Sequence, residues 1–256
     1  MKTFCFTVDD NIRFLKEISE RKPKSIFDHP YLAMLRRLHE HFELKIQLNL
    51  FWETDAFNLS KMSDRYAAEF SSVSDWLKLS FHSRMENVSP YENSGYDEVF
   101  ADCRAVNEQI LRFASPNSLA KTTTVHYCKT TGEGLRALRD NGIRGLLGLF
   151  GTADAPLTSY GICEKSASDI RSGHTVSLDG IAFASIDMVV NKVKSGDISR
   201  ALCELLSRDS IRVMIHEQYF YEDYRAYQPD FEEKLETVFE ILTENGYKSC
   251  FYEELI

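Results

Sequence analysis

Apolar positions along the chain fall into short continuous runs that alternate with stretches of three-to-four-residue rhythm. Phe4 to Val8 reads as a buried strand, and Ile12 to Ile18 follows with helical spacing. Tyr31 to Phe42 is helical and leads into the strand-like Lys45 to Trp52. Ser63 to Leu77 has helical character, and Leu77 to Phe81 is a short strand ending at His82. Asp97 to Phe113 shows the clearest amphipathic pattern, with Val99, Phe100, Cys103, Val106, Ile110, Leu111 and Phe113 on one broad face, stopped by Ser115-Pro116-Asn117. Thr122 to Tyr127 is β-branched and predicts a strand, Gly134 to Asn141 a helix closed by Asn141-Gly142, and Ile143 to Phe150 another strand. From Gly151 to Gly196 the pattern is hard to read, apart from a hairpin turn at Leu178-Asp179-Gly180-Ile181. Asp197 then caps a helix over Ile198 to Arg208, Ile211 to Ile215 is a strand ending at His216, Phe231 to Glu244 is a helix, and Tyr247 to Tyr252 is the last strand.

Alternation of strand and helix over the whole length predicts an α/β fold with a mostly parallel sheet. About seven or eight strands in ~250 residues fit a single distorted (β/α) barrel occupying residues 1–256 better than an open doubly wound sheet. Neither G-x-G-x-x-G nor G-x-x-x-x-G-K-[ST] occurs, and no repeat or interdomain linker is visible.

Composition narrows the function. With 43% hydrophobic and 27% charged residues the chain is globular, which excludes wholesale disorder. Thirty basic against 39 acidic residues leave a net charge of −9, so neither a nucleic acid nor an anionic membrane is expected as a partner. No secretion signal and no membrane-spanning run is visible, and Cys5, Cys103, Cys128, Cys163, Cys203 and Cys250 are scattered without C-x-x-C spacing. Reduced, mostly buried thiols and a cytoplasmic location are the expectation.

In parallel α/β folds the working groups gather at the carboxyl ends of strands. Those ends carry Asp9-Asp10, Glu53, His82, His126 and His216-Glu217, whereas His29, His39, His41 and His174 fall elsewhere. Singly, an aspartate at a strand exit commonly caps the next helix, and a histidine there is commonly structural. Jointly they supply the ligands of a divalent ion, a carboxylate to take a proton from water and a histidine to protonate a leaving group. Aromatic residues (Phe51-Trp52, Tyr91, Tyr96, Tyr127, Tyr219-Phe220-Tyr221) cluster near the same exits and suit a glycan, although core packing explains most of them equally well.

Three segments resemble the polysaccharide deacetylase family. Phe6-Thr7-Val8-Asp9-Asp10-Asn11 resembles its first motif, T-F-D-D-G, with Asn11 for Gly. Leu79 to Glu86 resembles the second, H-[ST]-x-x-H, with His82-Ser83 retained and Glu86 at the second histidine position. Val213-Met214-Ile215-His216-Glu217 resembles the late motif, with Glu217 for Asp. The resemblance implies a distorted (β/α) barrel, Asp9 as general base, Asp10 and His82 as metal ligands, and His216 as general acid. Glu86 stands at the third ligand position, ahead of His126, which ends the next strand. The family's Arg-x-Pro motif is absent, with Val125-His126-Tyr127-Cys128 in that region, and its Asp/Trp motif is not placed, Asp187 being the one candidate.

The expected function is therefore a hydrolase that uses one divalent metal ion (zinc foremost, with manganese, cobalt or iron also suited) to activate water. It would remove an acetyl group, bound as amide or ester, from a sugar or glycan precursor. The alternatives are a non-catalytic sugar-binding barrel that retains part of the metal site, and a metal-free glycosidase.

Overall fold

A computed structural model describes residues 1–86, 91–151 and 159–256. Along the chain run β1 (Thr3–Asn11), α1 (Arg13–Arg21), α2 (Pro30–Phe42), β2 (Ile46–Phe51), a small hairpin of β3 (Glu53–Thr54) and β4 (Phe57–Asn58), α3 (Ala67–Ser72) and β5 (Leu77–Ser83). They are followed by α4 (Tyr96–Phe113), β6 (Thr122–Thr123), α5 (Gly132–Asp140), β7 (Gly145–Gly148), α6 (Glu164–Arg171), β8 (Val176–Leu178), β9 (Ile181–Ser185) and β10 (Met188–Val189). The last elements are α7 (Ile198–Cys203), β11 (Ser210–His216), α8 (Phe231–Glu244) and β12 (Lys248–Ser249).

Strand β1 is buried along its whole length because parallel neighbours flank it, β11 on one side and β2 on the other, with helices packed outside. The first sheet runs β10–β11–β1–β2–β5, with β12 also pairing to β1, and every pair is parallel. The second runs β6–β7–β9–β8, and only its edge strand β8 is antiparallel. A backbone bond crosses one gap between the sheets, and the chain itself passes across the other. Ala120 N–H donates to the Leu79 carbonyl at 2.9 Å; on the other side Ile186 N–H reaches Gly148 and Asp187 N–H reaches Arg212, each at 2.8 Å. The result is the distorted (β/α) barrel that the alternation predicts.

Helix α8 buries Leu235, Val238, Phe239 and Leu242 in the core, where the Phe239 ring meets Phe6 of β1 edge-on at 4.9 Å. Burying each such side chain contributes roughly 1.5–3 kcal/mol, which makes this contact a main anchor of the barrel. The hairpin turn between β8 and β9 is as expected: Asp179 and Gly180 both take positive φ, 49° and 82°, the requirement of a two-residue type I′ loop. Among the described residues no helix is long and apolar enough to cross a membrane.

Three expectations need correction. The strand predicted over Thr122 to Tyr127 stops after Thr123, and His126–Cys128 forms a short 3-10 turn instead. Helices α3 and α7 are much shorter than their apolar spacing suggested. Finally, only Cys5, Cys103 and Cys128 are buried; Cys163 and Cys203 are exposed.

Candidate metal centre

Successive side chains on a strand point to opposite faces, so adjacent aspartates should not both reach one pocket. Here they do. The β1–β2 register shifts between Val8 and Asn11, and Asp10 takes φ 62°, a left-handed conformation rare outside glycine. Buried Asn11 pins this irregularity, its Nδ2 donating to the carbonyls of Val8 (2.6 Å) and Asn49 (3.2 Å) while Tyr31 O–H donates to its Oδ1 at 2.9 Å. The polar residue in place of the motif's glycine thus supplies three bonds that glycine cannot. Asp10 does not cap α1, whose first turn contains no acid and no capping side chain of its own.

Asp10, His82 and His126 converge, all buried, with one ligand atom from each within 4.8 Å of the others. Asp10 Oδ1 lies 3.0 Å from His82 Nε2 and 3.2 Å from His126 Nδ1, and the two ring nitrogens are 3.1 Å apart. Their outer nitrogens fix the tautomers. His82 Nδ1 faces the Thr124 carbonyl at 2.5 Å and His126 Nε2 faces the Glu86 carbonyl at 2.9 Å. A carbonyl only accepts, so both outer nitrogens carry the hydrogen and the inner ones present lone pairs. Two lone pairs aimed at each other across 3.1 Å, beside a carboxylate oxygen, call for a cation. Three donors of a tetrahedral ion with bonds of ~2.0–2.1 Å lie about 3.3 Å apart, close to this triangle. The residues present fit one divalent ion.

Burial raises Asp10, but the bonds from His126 and His82 outweigh it and hold the carboxyl well below its ordinary range. Burial likewise pushes His82 down, and the charge of Asp9 with the bond and charge of Asp10 more than reverses that, leaving the imidazole above its usual value. A ligand histidine must be unprotonated, so metal affinity is full above this raised pKa and is lost as pH falls through it. The loss is expected to begin above the ordinary imidazole value of about 6.5, which calorimetric titrations between pH 6 and 8 will check.

Asp9, His216 and Gln218 complete the floor of a pocket of about 420 Å³. Asp9 is buried beside Asn49, whose Nδ2 donates to it at 2.6 Å; burial raises its carboxyl above the ordinary value even though His82 and His216 pull the other way. Cross-strand pairing sets His216 opposite Asp9. The His216 Nδ1 bonds Asn191 Oδ1 at 2.9 Å, and its Nε2 is 4.0 Å from Asp10 Oδ2. Burial pushes this imidazole below its ordinary value, against the pull of Asp10 and Asp9. Gln218 Nε2 donates to Asp10 Oδ2 at 2.7 Å and so leaves Oδ1 to face the two histidines.

Several predicted members stand elsewhere. Glu86, which spacing put ahead of His126, is outside the three-residue cluster: among the described residues its carboxylate reaches Gln218 Nε2 alone, at 3.4 Å, on the pocket wall. Beyond Ser83 the strand has ended and Arg84 to Glu86 are not helical, so a four-residue spacing does not bring Glu86 back to His82. Glu53 pairs with Arg84, and Glu217 caps α1. Asp187 is bound by Arg208 and Arg212, and the residue beside His216 is Asn191. Asn191, Gln218, Asn49 and Tyr224 were not singled out from sequence, being neutral residues on turns or inside strands. Of the predicted aromatics, Tyr127 and Tyr219 line the pocket. His126→Ala is expected to weaken metal binding by at least ~100-fold, beyond the 10–100-fold typical of a lost outer partner, while Glu86→Gln changes it by less than about threefold. Titration with zinc or cobalt distinguishes the two residues, and equal losses would reinstate Glu86.

No family model and no curated protein matches this sequence. Solved structures do match. A family 4 acetyl xylan esterase from Clostridium thermocellum, in complex with a cobalt ion, aligns with 99% of this chain and 90% of its own at 14% identity and TM-score 0.56. The fold is that of the carbohydrate esterase family 4 enzymes. The Xyl-CE4 domain of a multidomain xylanase, from the hindgut metagenome of Trinervitermes trinervoides, aligns over 99% of this chain and 89% of its own (11% identity, TM-score 0.51). A 4-alpha-glucanotransferase from Thermococcus litoralis matches 99% of this chain but 40% of its own, at 14% identity and TM-score 0.63. The barrel is thus shared by structures named for different chemistries, and this chain's function has to be argued from its own side chains.

Proposed function

We propose that this chain is a metal-dependent hydrolase that removes an acetyl group, held by an amide or ester bond, from a sugar or glycan precursor. The observation that carries the reading is the convergence of Asp10 Oδ1, His82 Nε2 and His126 Nδ1, with backbone carbonyls turning both lone pairs inward. These three residues would hold the ion, and zinc, manganese, cobalt and iron(II) all suit the donor set. Bound there, a divalent ion supplies Lewis acidity to the acyl oxygen and to water.

The remaining steps belong to the chain. Asp9, raised by burial, is the stronger base of the two aspartates and takes the proton of the attacking water. Asp10 is held ionised by His126 and His82 and stays a ligand. Asn191 Oδ1 accepts from His216 Nδ1, so His216 Nε2, across from Asp9, first takes up a proton, equal in number to the one Asp9 removes from water, and then delivers it to the leaving nitrogen or oxygen. Tyr127, Tyr219 and Tyr224 offer faces on which a sugar ring can stack. A glycosidase would instead need two opposed carboxyl groups free for the glycosidic bond, and Asp10 is already committed to His82, His126 and Gln218.

Acetate release from N- and O-acetylated sugars tests the reading. Protein loaded with zinc or cobalt is expected to release acetate, to stop with a chelator and to recover on readdition. Metal binding with no acetate release from any acetylated sugar would favour a non-catalytic sugar-binding barrel.

A further inference from the structure

We infer that the sugar this pocket takes also carries an anionic group, a carboxylate or a phosphate, received by Arg225 and Lys192. The inference rests on the hydrolase reading and names its substrate class. Among the described residues, every other arginine of the chain has an ion-pair partner or donates to a carbonyl, whereas Arg225 has neither. It lines the pocket of the metal centre, and Lys192, also without a partner among the described residues, lines the same pocket. A guanidinium offers five donors in a planar fork that matches a carboxylate or phosphate, and here the fork is open.

The two cations are held on a connected frame. Arg225 belongs to the segment between Tyr221 and Asp230, which is fixed by Tyr224 N–H to the Tyr221 carbonyl (3.0 Å) and by Gln228 N–H to the Tyr219 carbonyl (3.0 Å). Lys192 ends the short turn Val190–Lys192, and Gln228 Nε2 donates to the Asn191 carbonyl at 2.8 Å, tying the two segments together. The backbone is thus set while both cationic ends remain free. Lys192 follows the Asn191 that holds His216 and lines the same pocket as His216, which serves the leaving group in the proposed reaction. An anion held there belongs to the sugar, not to the acyl group. Among the described residues the pocket's own carboxylates form no ion pair with these cations: Asp10 is bound by His82 and His126, Asp9 by Asn49, and Glu86 bonds Gln218 and feels the Arg225 charge from beyond ion-pair distance.

Calorimetry on metal-loaded protein tests this with three probes: N-acetylglucosamine, its 6-phosphate and its uronic acid. Wild type is expected to bind one or both anionic probes at least about tenfold more tightly than the neutral sugar, as a charge-assisted fork contact should. The preference falls toward unity in Arg225→Met/Lys192→Met and persists in Arg104→Met, which alters an exposed arginine on α4 paired with Glu108. Preference for the phosphate or for the uronate identifies the source of the anion, and either supports the inference. Equal affinity for all three probes, or a preference that survives the double substitution, overturns it. Acetate release from the neutral sugar judges the hydrolase reading separately, because it requires no anion.

Discussion

Asp9→Asn will lower kcat for acetate release by about 10²–10⁴-fold, the usual worth of a positioned general base, and leave the metal in place. Asp9 is not part of the three-residue cluster; its carboxylate is held by Asn49 Nδ2 at 2.6 Å within the same pocket. The substitution keeps the volume and an oxygen for Asn49 but removes the lone pair that accepts a proton, so substrate affinity should change little beside kcat. Metal content and kcat measured on the same preparation decide the matter. Unchanged kcat with metal bound would remove Asp9 from the reaction, and metal lost in parallel would make it a ligand.

The site was legible in sequence to the extent that strand ends were. The runs before Asp9, His82 and His216 are short and mostly apolar, so the exits of β1, β5 and β11 could be marked, and those residues do meet in one pocket. The strand that carries His126 in the sequence reading ends at Thr123, short of it: His126 sits in a 3-10 turn whose next two residues, Tyr127 and Cys128, take positive φ of 59° and 55°. Such conformations are set by tertiary context and leave no periodic trace, although each costs a non-glycine residue about 1–2 kcal/mol. Glu86 lies outside the Asp10, His82 and His126 cluster for a related reason, since residues four apart are neighbours only on a helix and Arg84 to Glu86 are not helical. Asn191 and Gln218 were invisible because a neutral amide becomes a partner of His216 or Asp10 only once β10, β11 and β1 lie side by side. The barrel itself was easier, because alternation and period are properties of long stretches.

Glu217 shows how far a residue's role can lie from its apparent one. At the barrel mouth, next to His216, it reads as one more acid for a cation. Instead its carboxylate, fully buried, accepts the N–H groups of Ile12 at 2.7 Å, Arg13 at 3.0 Å and Phe14 at 2.7 Å, together with the Tyr221 hydroxyl at 2.8 Å. Helix α1 has no capping side chain and no acid in its first turn, so the far end of the chain supplies both the acceptor and the negative charge. Glu217→Ala is therefore expected to cost about 3–5 kcal/mol, from three orphaned donors at roughly 1–3 kcal/mol each, partly relieved by entering water. Glu217→Gln keeps the volume but turns an amide N–H₂ toward two of the donors, so it should recover only part of the loss. The pairing also joins the end of β11 to the residues that follow Asp9 and Asp10, so both variants should bind metal more weakly without having lost a ligand. Urea unfolding followed by circular dichroism measures the first effect and zinc titration the second. A Glu217→Ala midpoint corresponding to less than about 1 kcal/mol would mean that water caps α1 as well as the carboxylate does.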